Sequence, residues 1–278
     1  MISNPRELRL RKLFHPENGR SVMIPADHGR YLGNTAGLED PYNLVRTLIE
    51  EEIDATIMCF GLGKVTADLF GSRYAPARII AIDNALFANI PGEQQGVIGY
   101  EPGVTPELAL KWGFDAIKVL FIWGVDPDLQ SAQLRYMSEL VAECDRLNMP
   151  LMIEPVLWGN HIPDNRKNDP DMIAHACRIA MELGADMLKV PYTGDKESFS
   201  SIVEMARIPV LVLGGPGGNT TRAMLQVAHD SISAGGRGIV FGRSVWAGSN
   251  MRGFIRALKD TVYHQIEVDE LMNKYDLS

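Results

Sequence analysis

Eight times along the chain, a short apolar run rich in branched side chains gives way to a longer segment with helical spacing. The runs are SVMIPAD (21–27), DATIMCF (54–60), RIIAID (78–83), DAIKVLF (115–121), PLMIEP (150–155), DMLKVP (186–191), PVLVLG (209–214) and GIVFG (238–242). Their length and branching suit strands, and their nearly unbroken apolarity suits parallel strands covered on both faces. Between them, PYNLVRTLIEEE, TPELALKWG, LQSAQLRYMSELVAECDRL, DPDMIAHACRIAMELG, SFSSIVEMA and TRAMLQVAHDSISAGG have helical periodicity. Several open at a Thr, Asp or Ser able to cap free amides and stop at a Gly suited to a left-handed backbone. Repeated βα units in this number predict an α/β fold, a closed (β/α)8 or TIM barrel. A doubly wound open sheet is the alternative packing of the same units.

No linker divides the 278 residues: there is no low-complexity stretch, no long Pro/Gly/Ser run and no block of like charge. One barrel domain over residues 1–278 is therefore expected, with a short N-terminal helical extension in MISNPRELRLRKLF. That stretch is charged and lacks the apolar core of a signal peptide, and no run of about 18 apolar residues is present to span a bilayer. Cys59, Cys144 and Cys177 form an odd set without CxxC spacing, as expected of reduced thiols in a cytoplasmic protein. The net charge of -8 leaves no basic footprint for nucleic acid. The segment 84–104 is the least regular, and is open to reading as a surface excursion, a lid or a subunit contact.

Active sites of such barrels lie at the C-terminal ends of the strands. There, four polar residues interrupt or end apolar runs: Asp27, Lys118, Glu154 and Lys189. Pointing inward, they would bring two ammonium groups and two carboxylates together. Buried singly, such groups cost several kcal/mol each. The structural alternative is a salt-bridged plug in the barrel mouth. Asp83, at the end of the third strand, could join them. After the seventh strand comes Gly214-Gly215-Pro216-Gly217-Gly218, and after the eighth Gly242-Arg243-Ser244. Glycines let backbone amides approach a phosphate, and barrels commonly bind phosphate at these two loops. Tight turns alone are the bland explanation, against which Arg243 adds a fixed cation. The six histidines lack ligand spacing such as HExxH, so no metal is expected.

The stretch DMLKVPYTGDKESF resembles the segment around the Schiff-base lysine of archaeal and bacterial class I fructose-bisphosphate aldolases. IPADHG looks like the aspartate-bearing first strand of that family, and PVLVLGGPGGN and GIVFGRSVW resemble its two phosphate loops. The archaeal-type enzymes carry Tyr-Pro-Arg-Gly after the fifth strand, the tyrosine acting as proton donor. Val156-Leu157-Trp158-Gly159 stands there instead. DAIKVLFIWGVDPD and LMIEPVLW are similar to the tagatose-bisphosphate and sulfofructose-phosphate aldolase branch. That branch uses an Asp, Lys, Glu, Lys quartet, matched here by Asp27, Lys118, Glu154 and Lys189. The resemblance implies a catalytic role for all four, with the imine at Lys189. It further implies no cofactor and a homo-oligomer. Gly214, Gly215, Gly242 and Arg243 would hold the substrate phosphate.

A nucleophilic lysine must be neutral, although its reference pKa is about 10.4; burial and a neighbouring cation, Lys118, would both lower it. The expected reaction makes or breaks a carbon–carbon bond in a phosphorylated ketose, releasing dihydroxyacetone phosphate and an aldehyde. Glu154 would shuttle protons and Asp27 deprotonate the C4 hydroxyl, or the reverse. The lack of a second basic cluster favours a substrate with one phosphate. A transaldolase- or thiolase-like transferase would use the same lysine, and a catalytically silent sugar-phosphate-binding barrel would be expected to have lost a quartet member. His28 and Trp123 are further candidates for substrate contact, each equally open to a packing role. His161 is expected in solvent.

Overall fold

The computed structural model describes residues 4–87, 90, 96–214 and 220–277. All eight expected strands form. They are β1 (Ser21–Pro25), β2 (Ala55–Met58), β3 (Ala77–Ala81), β6 (Ala116–Ile122), β7 (Leu151–Val156), β8 (Met187–Val190), β9 (Val210–Leu213) and β10 (Gly238–Val240). They close in the order β1-β10-β9-β8-β7-β6-β3-β2, every pairing parallel. β4 (Asp83–Leu86) and β5 (Gly99–Pro102) make a separate antiparallel pair. The open-sheet alternative is thereby excluded, and the fold is a TIM barrel.

The six expected helices form at Pro41–Glu50, Pro106–Lys111, Pro127–Leu147, Pro170–Leu183, Lys196–Ala206 and Thr221–Ser233. Their starts follow local chemistry. The side chains of Asp40, Thr105, Asp169, Asp195 and Thr220 each accept a hydrogen bond from an amide in the first turn, satisfying donors that the helix itself cannot. At the far end, Gly184 takes φ 112°, a backbone conformation costly for any residue with a Cβ.

The inner core of the barrel is built from alternate residues. Met23, Ala55, Ile57, Ala77, Ile79, Ala81, Ala116, Met152, Met187, Leu211 and Val240 form one buried cluster. Side chains two apart on a strand share a face, so this cluster fixes which residues project inward above it. Leu13 joins the same cluster with no exposed surface, and Leu10 and Phe14 pack against it. The helix Pro5–Lys12 is thus more than an appendage: its end seals the barrel from below. Polar contacts fasten it there, with Arg6 on Asp186 and Asp145, Lys12 on Asp115, and the Ser21 hydroxyl donating to the Leu13 carbonyl.

Two parts of the chain depart from the sequence reading. The segment expected to be irregular contains the β4–β5 ribbon; β4 alternates between buried and exposed positions, but its residues DNAL and those of β5, GYEP, carry no apolar alternation to announce it. The helices Met251–His264 and Val268–Lys274 follow the barrel, and no strand after them marks them off as a further βα unit. Met251–His264 returns to the first βα unit. Arg252 and Arg256 both reach Glu51, at distances of 2.7 and 2.8 Å.

Leu13→Ala should destabilise the fold by about 2–4 kcal/mol, because it opens a cavity beneath the inner core; urea denaturation at neutral pH checks this. Burial would raise the Glu51 carboxyl, but Arg256 and Arg252 hold it below its ordinary 4.5. A carboxyl lowered on folding contributes stability above its unfolded value, and this is lost as pH falls through the folded one. Glu51→Gln should therefore lower the urea midpoint at pH 7 and have a much smaller effect at pH 3.

Candidate active site

The period of two decides what enters the barrel mouth. Ala116, Met152 and Met187 belong to the inner core. Two positions further along the same strands stand Lys118, Glu154 and Lys189. On β1 the inward Met23 is followed by Pro25 and then, just past the strand, by Asp27. All four side chains are buried: Asp27 is 4% exposed, Lys118 2%, Glu154 3% and Lys189 7%.

They meet through Glu154. Its Oε2 lies 2.7 Å from the Lys118 Nζ and its Oε1 2.9 Å from the Lys189 Nζ. The Lys118 Nζ is also 3.9 Å from the Asp27 Oδ2, and the His28 Nδ1 lies 3.3 Å from the Asp27 Oδ1. The four groups thus form one chain of alternating charge, Asp27–Lys118–Glu154–Lys189.

Opposed forces set their protonation. Burial works against every charge here. For Glu154 it is outweighed by Lys118 and Lys189, which hold the carboxyl below its ordinary value. For Asp27 it is outweighed by His28 and Lys118, which drive the carboxyl far down. For Lys118 the carboxylate of Glu154 prevails over burial and raises the ammonium well above its ordinary value. Both carboxylates are therefore ionised at neutral pH, and Lys118 is a permanent cation.

A second buried cluster adjoins the first. Asp83 has no exposed surface, and neither carboxylate oxygen finds a hydrogen-bond partner among the described residues. Its neighbouring cation is Arg30, 4.0 Å away. Burial raises the Asp83 carboxyl, with Lys118 and Arg30 only partly opposing this. Arg30 also donates to the Ala81 carbonyl and to the Tyr31 hydroxyl. Arg30 and Tyr31 escaped the sequence reading because they lie beyond a strand end, where a charged or aromatic residue is unremarkable.

The phosphate-loop candidates fare unequally. The Gly214 amide donates to the Val240 carbonyl at 3.2 Å, so it helps close the barrel and is not free for an anion. Gly215 lies outside the described residues. Gly242 leads into the short helix Arg243–Trp246 and packs so closely on His28 that a Cβ would approach the ring to 2.7 Å. Arg243 is exposed. Beside it the Ser244 hydroxyl is buried without a hydrogen-bond partner among the described residues, a polar atom that the sequence gave no reason to single out. His28 packs edge-on against Trp246, whose indole N–H donates to the Pro25 carbonyl. Trp123 meets Phe121 edge to face, with its indole nitrogen buried and unpartnered among the described residues. His161 is exposed and paired with Asp126.

Among the described residues, no three His, Cys, Asp or Glu side chains are arranged to hold a metal ion. No described helix is long and apolar enough to cross a membrane.

Comparison with known proteins places this geometry. Residues 21–248 match the family model of the DeoC/LacD family aldolases. An uncharacterized aldolase of Saccharolobus solfataricus is 31% identical, over 96% of this chain and 97% of its own. The 2-amino-4,5-dihydroxy-6-oxo-7-(phosphonooxy)heptanoate synthase of Streptomyces griseus is 27% identical, over 93% of this chain and 90% of its own. A Schiff-base-forming fructose-1,6-bisphosphate aldolase superposes with a TM-score of 0.78 at 25% identity, over 94% of this chain and 100% of that one. With a barrel of the same kind, and a family match over most of its length, this chain belongs to the DeoC/LacD family of class I aldolases.

Proposed function

We propose that this aldolase makes or cleaves a carbon–carbon bond in a phosphorylated ketose through an imine at Lys189, with dihydroxyacetone phosphate as the keto fragment. The observation that carries this reading is the contact of one buried carboxylate, Glu154, with both Lys118 and Lys189. A plug built for stability alone would not need a second lysine, since burying another ammonium adds desolvation cost.

The geometry supports a division of labour. Lys189 gives one proton to Glu154, 2.9 Å away, and attacks the ketone as the neutral amine; a second nitrogen proton then moves to the alkoxide and forms the carbinolamine hydroxyl. Glu154 returns its proton to that hydroxyl, which leaves as water while the nitrogen lone pair forms the iminium ion. Lys118, permanently charged, keeps one Glu154 oxygen engaged and adds positive potential beside the nascent imine. Asp27, ionised and on the opposite side of Lys118, removes the C4 hydroxyl proton; the C3–C4 electron pair then moves into the iminium and leaves an enamine. Two carboxylates in different surroundings commonly share acid and base duties in this way.

The phosphate is assigned to the amides around Gly242, with the Arg243 guanidinium and the buried Ser244 hydroxyl beside them, and to the loop containing Gly215. Gly214 supports that loop through its bond to Val240. The reading of the substrate as a monophosphate rests on the lack of a second basic cluster. His28 and Trp123 flank the mouth as candidate substrate contacts. The protein would work without a cofactor, in the cytoplasm, as a homo-oligomer, and residues 1–278 would form one domain.

A synthase reading has one observation in its favour. The Streptomyces griseus relative is named for a product with a ketone beside a phosphorylated carbon, the arrangement that dihydroxyacetone phosphate would leave in an aldol adduct. The same imine machinery serves either direction.

Borohydride reduction in the presence of dihydroxyacetone phosphate should fix a three-carbon phosphate on Lys189, detectable by peptide mapping. Lys189→Met should be folded and should neither trap nor turn over; a folded, active variant would eliminate the imine. Glu154→Gln should slow turnover by roughly 10²–10⁴-fold, and an unchanged rate would move the proton shuttle elsewhere.

A further inference from the structure

Between the ends of the first strands and the β4–β5 ribbon lies a cavity of about 540 Å³, lined among others by Arg30, Cys59, Phe60, Asn84, Gly103 and Val104. It borders the proposed catalytic groups. The Cys59 thiol donates to the Asp27 carbonyl at 3.3 Å, and Arg30 follows Asp27 by three residues, its amide donating to that same carbonyl. The cavity therefore lies on the Asp27 side of the quartet, and none of the described residues lining it belongs to the β9 or β10 loop. Among the described residues, no carboxylate lines it and Arg30 is its single cation.

Arg30 is held unusually. Its side chain is 22% exposed and its Nε is buried without a partner among the described residues. One terminal nitrogen donates to the Ala81 carbonyl and the other to the Tyr31 hydroxyl. Each terminal nitrogen carries two hydrogens, so, among the described residues, one N–H on each is left for a ligand acceptor such as a carboxylate. The Asp83 carboxylate stands 4.0 Å behind, too far for a hydrogen bond. It offsets part of the guanidinium charge without occupying its donors.

We propose that this cavity receives the aldehyde-derived end of the substrate, and that Arg30 selects a singly charged carboxylate there. Resting on the aldol reading above, it specifies the fragment that the reading leaves open. A phosphate dianion would set two charges against one guanidinium with the Asp83 carboxylate behind it. A neutral end would leave the two N–H groups unanswered. A carboxylate matches both the charge and the fork. Phe60 and Val104 give the cavity apolar wall for the carbon chain, and Asn84 adds a neutral polar group.

The test is aldol synthesis from dihydroxyacetone phosphate with three aldehydes: succinic semialdehyde (carboxylate end), glyceraldehyde 3-phosphate (phosphate end) and glyceraldehyde (neutral). Borohydride trapping on Lys189 is run beside it for the wild type, Arg30→Gln and Arg30→Lys. A charge-assisted bidentate contact predicts a kcat/KM about 10- to 100-fold higher for the carboxylate aldehyde than for the neutral one, with the phosphorylated aldehyde no better than the carboxylate. Arg30→Gln should lose that preference, its KM rising more for the carboxylate aldehyde than for glyceraldehyde, and Arg30→Lys should keep part of it. An undiminished preference in an Arg30→Gln protein that still traps, or a wild type that prefers the phosphate end or the neutral one, would overturn the assignment. Failure of the wild type to trap would instead overturn the imine reading, and the proposal with it.

Discussion

Two ammonium groups share one buried carboxylate at the mouth of this barrel, and much else in the structure serves that arrangement. Glu154 touches both Lys118 and Lys189, and without it two like charges would face each other in a region nearly closed to solvent. Buried charge survives only when paired, so the quartet stands or falls together. Asp27 takes up the remaining charge of Lys118 from the other side. The result is a chain in which every cation has an anion and the terminal lysine is in contact with a proton acceptor.

The barrel supplies the precision. Each of the three strands bearing Lys118, Glu154 and Lys189 places an apolar residue in the inner core two positions earlier. The parallel register then fixes the heights: Lys118 pairs with Met152, and Leu120 with Glu154. Charged groups placed on rigid strands rather than loops keep their separations when substrate arrives. The sealed lower end matters to this. With Leu13 filling the space below the inner core, the polar layer rests on a packed apolar floor.

Around this centre the polar groups differ in how completely they are satisfied. The quartet is held by ion pairs, its Glu154 Oε2 making no hydrogen bond of good geometry among the described residues; outside it, Asp83, the Arg30 Nε and the Ser244 hydroxyl lack hydrogen-bond partners among the described residues. Unpartnered buried polar atoms are costly and rare in folded proteins. Two of these three lie where the substrate reading needs recognition: Arg30 beside the Asp27-side cavity and Ser244 beside Arg243.

The sequence by itself determined the barrel and the quartet. Apolar runs at regular intervals leave few ways to cover parallel strands, and a charged residue inside such a run must point to a polar interior or break the strand. Capping residues fixed most helix starts, because the hydrogen bonds that make them are local. Only the tertiary structure decided the rest. Whether Gly214 offers its amide to a ligand depended on Val240, on a neighbouring strand. That the first helix seals the barrel depended on side chains from eight strands converging on one axis. The placing of Arg30 against Asp83, 53 positions later in the chain, has no local signature. Contacts between distant segments are set by how the strands close, and a pattern read along the chain carries no record of them.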